Sequence, residues 1–375
     1  MSRLTWASTA FTRALKLKYP IIQAPCAGHA ASDLTAAISN AGGLGSLGLA
    51  TTQPEAMREI IRDTRAKTSL PFAVNIFCRQ TPPPTREELA KIYPTDTFLD
   101  NIRHELGISQ PLQFAMRSPP LDSQATVIIE EGVQVVSFTF GYLPDHLFKA
   151  FKDAGIYIIG TATTVQEALI LAGEDSPEAQ PKADAIVAQG LEAGGHRGSF
   201  LSDQGKEMST RDLVQAIHNT LTSKIPILAA GGLSDGPTVA DALLKWGADG
   251  AVIGTLFMLS KESPTPFAHK DVMLHSQEPT KITKVITGRR ARCFPNKLVR
   301  NIEDSVGSSV EIPPYDIHSA KIADIVTHGT KNSLTDYMYL LSGDNTTKAA
   351  KYSEEGTLSA TGIFNKLVSD IQKHA

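Results

Sequence analysis

From residue 20 to about residue 260, short apolar runs alternate with stretches whose apolar positions recur at helical spacing. The runs occupy 21–24, 43–47, 72–77, 133–138, 156–159, 185–188, 225–230 and 250–253. Each is almost continuously apolar, as strands covered on both faces are. Helical patterns lie between them: from Ser32 or Asp33, over 54–66 with Pro54 in the first turn, and over 144–154 and 164–171. Eight strand candidates separated by helices in about 235 residues predict a (β/α)8 TIM barrel. An open doubly wound sheet would carry Gly-x-Gly-x-x-Gly after its first strand. The chain has Ala24-Pro25-Cys26-Ala27-Gly28-His29 there instead.

Two stretches break the rhythm. Residues 79–120 hold Pro82-Pro83-Pro84, Pro94, Pro111 and Pro119-Pro120, with one helical piece at 86–91. That is too long for an ordinary βα connection and predicts an insertion that covers something. Past residue 260 the strand pattern stops. A Gly-Arg-Arg-containing connector at 282–292 leads to helical patterns at 319–326, 334–341 and 360–374. The expected organisation is a barrel over 1–260 and a mostly helical addition over 261–375 that closes the barrel mouth.

The sixth run leads into Gln189-Gly190-Leu191-Glu192-Ala193-Gly194-Gly195-His196-Arg197-Gly198. Glycines let this turn come close to a ligand, and a histidine that titrates near neutrality sits on its crest. The bland alternative is a tight βα turn with a solvated His196. In a TIM barrel the site lies at the strand ends, and a ligand phosphate often sits after strands 7 and 8. Those ends read Ala229-Ala230-Gly231-Gly232-Leu233-Ser234-Asp235-Gly236 and Val252-Ile253-Gly254-Thr255. Glycine before a helix start leaves peptide N–H groups for an anion, although Asp235 and Thr255 could equally cap those helices. Asn75, Thr139, Thr161 and Gln189 add polar groups at other strand ends. FMN suits this set better than a dinucleotide; a sugar phosphate is the rival ligand.

Composition narrows the partners. Over 375 residues, 42% are hydrophobic and 20% charged, and the formal net charge is −3, which predicts neither a nucleic-acid nor a membrane partner. Three scattered cysteines, Cys26, Cys78 and Cys293, suit a reducing compartment such as the cytoplasm. Residues 1–32 carry Arg3, Arg13, Lys16 and Lys18 and no acid, as a mitochondrial transit peptide does. The first strand begins so early, however, that a short leading helix is expected there. Monomer and homodimer both stay open.

Several segments together resemble the nitronate monooxygenases, formerly 2-nitropropane dioxygenases. They are Ala24-Pro25-Cys26-Ala27-Gly28, Gly43-Leu44-Gly45, Asn75, Glu192-Ala193-Gly194-Gly195-His196-Arg197-Gly198, Ala230-Gly231-Gly232 and Gly288-Arg289-Arg290-Ala291-Arg292. The resemblance implies a TIM barrel that holds FMN non-covalently and oxidises alkyl nitronates with O2. It implies His196 as catalytic base. It also implies FMN contacts at Asn75, Gln189, Gly194, Gly195, Gly231, Gly232, Val252, Ile253, Gly254 and Thr255, with Ala24 and Pro25 beneath the ring. Three positions depart from the family pattern: Cys26 stands for Met, Cys293 for Gly, and Thr139 lies where bacterial members often carry a second histidine. Thr139 is therefore the candidate substrate contact. The related flavin reductases of enoyl thioesters or quinones are the alternative.

Of the other histidines, only His29 lies at a strand end; none shows metal-ligand spacing, so no metal is expected. Arg289, Arg290, Arg292, Lys297 and Arg300 form a run without acids. It predicts a solvated lid face or a cationic entrance for anions.

Overall fold

The computed structural model describes residues 5–116, 118–201, 207–306 and 311–375; Arg3 lies outside them. Among these are eleven strands: β1 (Ile21–Gln23), β2 (Gly45–Gly48), β3 (Phe72–Phe77), β4 (Val135–Thr139), β5 (Tyr157–Ala162), β6 (Ala185–Gln189), β7 (Gly195–His196), β8 (Ile227–Ala230), β9 (Gly250–Ile253), β10 (Lys281–Thr283) and β11 (Ala291–Cys293). Eight of them form one parallel sheet in the order β1-β9-β8-β6-β5-β4-β3-β2. A parallel bridge from Ile22 to Leu44 links the end strands, so the sheet is a nearly closed TIM barrel. All eight predicted strands are present.

Both faces of the strands are buried, which explains their unbroken apolar runs. Ile22, Ala73, Val135, Ile159, Leu228 and Val252 face inward with Phe11 and Leu15, which come from the amino-terminal helix Ala10–Leu15. The expected leading helix is thus a plug. The Phe11 ring meets Tyr157, the first residue of β5, so the plug closes the end opposite the strand carboxyl termini. Phe11→Ala is expected to lower the unfolding free energy by about 3–5 kcal/mol, read from the denaturant midpoint. Substrate KM should not change, because the cavity lies at the other end.

Outside the barrel stand the helices Ser32–Asn40, Pro54–Lys67, Leu121–Glu130, Asp145–Asp153, Val165–Ala172, Thr210–Thr220, Gly236–Leu244 and Ala360–His374. Three of these depart from the sequence-based expectations, among them Thr210–Thr220, for which no helical pattern was assigned. Leu121–Glu130 was not predicted; it starts directly after Pro119-Pro120 and packs on Pro54–Lys67. Ala360–His374 does not join the cap. It fills the eighth place of the outer ring, against Gly236–Leu244 and Ser32–Asn40, with Ile363, Phe364, Leu367 and Ile371 buried.

The insertion and the carboxyl-terminal segment share a second apolar core, in which Leu99 and Ile102 pack with Leu298, Val299, Ile302, Ile322 and Ile325. Ion pairs stitch the two together: Arg79–Asp316 at 3.0 Å, Arg103–Asp324 at 2.8 Å and Lys321–Asp96 at 2.7 Å. Two further expectations fail here. The strand pattern does not stop at 260, because β10 and β11 pair antiparallel and β11 then pairs with β7. Residues 334–341 form one 3-10 turn, Thr335–Tyr337, and then run extended to a bridge between Leu341 and Cys293. Their backbone groups bond to the β11 segment instead of to their own helix; Phe294 N–H donates to the Leu340 carbonyl. No helix among the described residues is long and apolar enough to cross a membrane.

Candidate active site

Parallel register brings the carboxyl ends of the strands to one level: Gln189 lies opposite Ala230, Phe77 opposite Thr139, and Gln23 opposite Ile253. Above them is a cavity of about 290 Å³. Ala24, Pro25, Asn75, Thr139, Gln189, Gly194, Gly195, His196, Gly231, Gly232, Val252, Gly254 and Thr255 all line it. Ile253 does not. Strand alternation turns it outward, and it is buried between the barrel and its helices.

The loop that carries His196 is held from several sides. β7 pairs with β11, with His196 opposite Ala291. The amide of Gln189 spans the turn: Nε2 donates to the His196 carbonyl at 3.0 Å, and Oε1 accepts from the Gly198 N–H at 2.8 Å. Gly198 is pressed so closely on β4 and β5 that a Cβ there would lie 2.6 Å from the Thr139 hydroxyl and 2.7 Å from the Thr161 side chain. Farther along, Glu167 accepts from the N–H groups of Phe200 and Leu201 at 2.6 and 2.9 Å.

Arginines do the rest, and they do so by binding peptide carbonyls. Arg197 turns inward and is buried; it donates to Gly190 O at 2.6 Å and Gln189 O at 2.8 Å. Burial pulls its guanidinium down to about 10, so it stays charged at neutral pH. Arg292 donates to Leu191 O at 2.9 Å, and Arg289 to the carbonyls of Arg197 and Ser199. Arg290 pairs with Glu207, Lys297 with Glu105 and Arg300 with Glu278. The basic run therefore divides: Arg289 and Arg292 turn to the loop, while Lys297 and Arg300 stand at the surface beside their acids, the solvated face expected of them. Its members are spent on loop carbonyls and acids.

The His196 ring lies edge-on to Phe140 and Tyr315, with centroids 5.8 and 5.3 Å away, and its Nε2 is 2.9 Å from Thr287 Oγ1. Phe77 and the Arg79 guanidinium complete the aromatic wall around Tyr315. Phe140 has φ of 74°, a left-handed conformation costly for a bulky residue. Its N–H bonds to Gly198 O at 3.2 Å and the Arg289 guanidinium lies 3.9 Å from its ring centre, which hold it there. Strain of this kind gathers at working sites. Sequence inspection missed Phe77, Phe140, Tyr315 and Thr287. The Thr139-Phe140-Gly141 strand end was the signal available for Phe140; Tyr315 is brought in from the far lobe and had none.

At the other side of the cavity, Gly231 has φ of 121°, and a Cβ there would meet Thr210 Oγ1 at 2.6 Å and Ala193 N at 2.8 Å. Asp235 caps its helix by accepting from Thr238 N–H, whereas Thr255 caps nothing and accepts from Gly343 N–H at 2.9 Å. The segment Ser342–Gly343 thus forms part of this wall. His29 also lines the cavity, with Nδ1 3.1 Å from Thr265 Oγ1; burial, then Lys270, pulls it down to about 4 and keeps it neutral. Burial pushes the Cys26 thiol up to about 12, so it is no thiolate nucleophile. Among the described residues no group of three or more His, Cys, Asp or Glu could hold a metal.

Residues 8–369 match the family model of nitronate monooxygenase. The chain belongs to that family. It is 32% identical over 344 residues to a probable nitronate monooxygenase of Staphylococcus haemolyticus (strain JCSC1435), covering 91% of this chain and 92% of the relative. A probable nitronate monooxygenase of Staphylococcus aureus (strain MSSA476) is 34% identical over 325 residues, 85% and 86% of the two chains. Among solved structures, nitroalkane oxidase from Streptomyces ansochromogenes superposes with a TM-score of 0.83 at 28% identity, covering 97% of this chain and 98% of that one. FabK from Thermotoga maritima, at TM-score 0.73, 23% identity and 98% and 97% coverage, shares the fold.

Proposed function

We propose that this chain uses FMN and O2 to oxidise alkyl nitronates, such as propionate 3-nitronate, to carbonyl compounds and nitrite. Neutral nitroalkanes enter the same route after deprotonation by His196. The observation that carries this is the placement of the His196 ring, in a cavity walled by aromatics at the carboxyl ends of the barrel strands. Membership of the nitronate monooxygenase family and the likeness to a nitroalkane oxidase support it.

The residues present suit FMN. Gly231, Gly232, Gly254 and Thr255 offer peptide groups to a phosphate beside two helix starts, and Gly231 leaves no room for a side chain. Ala24 and Pro25 give an apolar surface for a flat ring, with Asn75, Gln189, Gly194 and Gly195 at its edge. The Gln189 amide, although it braces the loop, keeps one N–H and one lone pair for a ligand. Val252 contributes apolar floor. Bound FMN would supply the electron transfer between nitronate and O2.

The chain's own groups handle the proton and the charge. The α-carbon of a nitroalkane gives its proton to the imidazole, and the C–H electron pair stays behind as the nitronate. Thr139 can donate its hydroxyl proton to a nitro oxygen. For a substrate that arrives ionised, a protonated His196 holds the anion instead. Phe77, Phe140 and Tyr315 keep water from these charges, which strengthens each contact.

Anaerobic mixing of the purified yellow protein with propionate 3-nitronate, and separately with NADH, tests the proposal through the flavin absorbance. Fast bleaching by the nitronate is expected. Bleaching by NADH alone would make the chain a reductase, and a colourless protein would point to a phosphosugar barrel.

A further inference from the structure

The chain returns from the far lobe along the carboxyl ends of the barrel strands through Ser342, Gly343, Asp344 and Asn345. This short segment runs from the Leu341–Cys293 bridge to the helix Thr346–Tyr352. It is tied to three βα loops at once. Gly343 N–H donates to Thr255 Oγ1 at 2.9 Å, Asp344 N–H to Glu192 O at 3.0 Å, and Asn345 Nδ2 to Gly232 O at 3.0 Å. The loop after β6 also presses on it, for a Cβ at Gly194 would lie 2.5 Å from Gly343 N and from Ser342 C. Ser342 and Gly343 are buried and line the cavity, whereas Asp344, the next residue, is exposed. The segment is a wall one chain thick between cavity and solvent.

We infer that Ser342–Asn345 is a strap that closes the pocket at its phosphate end and thereby selects a mononucleotide flavin over a dinucleotide. This rests on the proposed FMN site, since the loops of Gly232 and Thr255, which the strap joins, are those assigned to the phosphate. A peptide N–H can only donate, so Thr255 Oγ1 accepts from Gly343 and keeps its own proton to give. FMN ends at its phosphate. FAD continues past the same phosphate into a second one and a nucleoside. To let that tail out, the strap must release its hydrogen bonds to Thr255, Glu192 and Gly232. Beside the strap the wall is just as tight: Thr210 Oγ1 and Ala193 N lie 2.6 and 2.8 Å from where a Cβ of Gly231 would stand. Three hydrogen bonds of ordinary worth set a preference for FMN over FAD of about a hundredfold.

Competition between flavins tests this without any turnover. The holoenzyme is incubated with a mixture of FMN, FAD and riboflavin until the bound ratio is constant; the bound flavins are then separated by chromatography and counted. The unsubstituted protein should take FMN over FAD by about a hundredfold, and FMN over riboflavin as well. Asn345→Ala removes the tie to Gly232 O. The Asn345 side chain makes no capping bond to the helix it precedes, so the helix loses no cap. The preference for FMN over FAD should fall about tenfold, the worth of one such hydrogen bond, while that over riboflavin should hold. Gly343→Ala puts a methyl 3.2 Å from both Glu192 O and Thr255 Oγ1, which pushes the strap outward and should lower the same ratio.

General loosening of the fold would weaken FMN and FAD alike and leave their ratio where it was. An unmoved ratio in both variants therefore overturns the inference. So does an unsubstituted protein that takes FAD as readily as FMN, or one that takes riboflavin as readily, because no phosphate then lies under the strap. Should Asn345→Ala not fold, Gly343→Ala and the unsubstituted protein still decide. Failure of the FMN reading looks different: the protein would then hold no flavin from the mixture at all.

Discussion

His196→Asn is expected to lower kcat/KM for neutral nitroalkanes by about 10²–10⁴-fold, the usual worth of a positioned general base. Turnover of preformed nitronates should fall by less than about tenfold, since there the ring contributes no more than one hydrogen bond to the anion. The asymmetry follows from what each substrate still needs. A nitroalkane must lose a carbon-bound proton, and asparagine has no lone pair basic enough to take it. A nitronate has lost that proton already. Steady-state assays on both substrates across the same pH range measure the two ratios together. Equal losses would remove His196 from the proton transfer and leave it a wall of the cavity. The loop should survive the substitution, because its bracing contacts run through the backbone of residue 196 and through Gln189, Arg197, Arg289 and Arg292.

The barrel was legible because its strands are buried on both faces. Runs such as Phe72–Phe77 and Ala185–Gln189 leave no doubt about burial, and their alternation with helical patterns decides the fold. Position along a strand was legible too, which placed Asn75, Thr139, Gln189, Gly231 and Gly254 around one cavity. Ile253 was carried along with its neighbours, and strand alternation turned it away. What stayed hidden depends on contacts between distant segments. β10 and β11 have only three residues each, and the sequence around them is rich in charge; they exist because β7 offers an edge to pair with. Tyr315 reaches the cavity from the far lobe, where Arg79 pairs with Asp316 beside it. Leu121–Glu130 was obscured by the two prolines before it, which end an insertion and open a helix alike. Ala360–His374 reads as one more amphipathic helix, and nothing local says that the chain returns from the far lobe to close the ring.

The arginines show the same limit most clearly. A sequence gives their charge and not the carbonyls they face, and nothing in the residues around Arg197 says that it turns inward. Its buried guanidinium forks between Gly190 O and Gln189 O, with Glu207 3.8 Å from Nε. Arg197→Met keeps most of the volume and removes both donors. Each buried carbonyl left without a partner costs about 1–3 kcal/mol, so the unfolding free energy should drop by about 2–4 kcal/mol. Arg197→Lys should recover only part of this, since one ammonium cannot serve both oxygens in the plane of a fork. Arg300→Met, which breaks an exposed pair with Glu278, sets the scale of an ordinary surface charge and should cost less than about 1 kcal/mol. Urea midpoints rank the three. Nitroalkane turnover should follow the same order, because the Gln189 and Gly190 carbonyls that Arg197 anchors open the loop that presents the imidazole. If Arg197→Met matches the parent in both measurements, the loop keeps its shape without the fork. His196 would then owe its position to the other braces, Gln189, β11, Arg289 and Arg292.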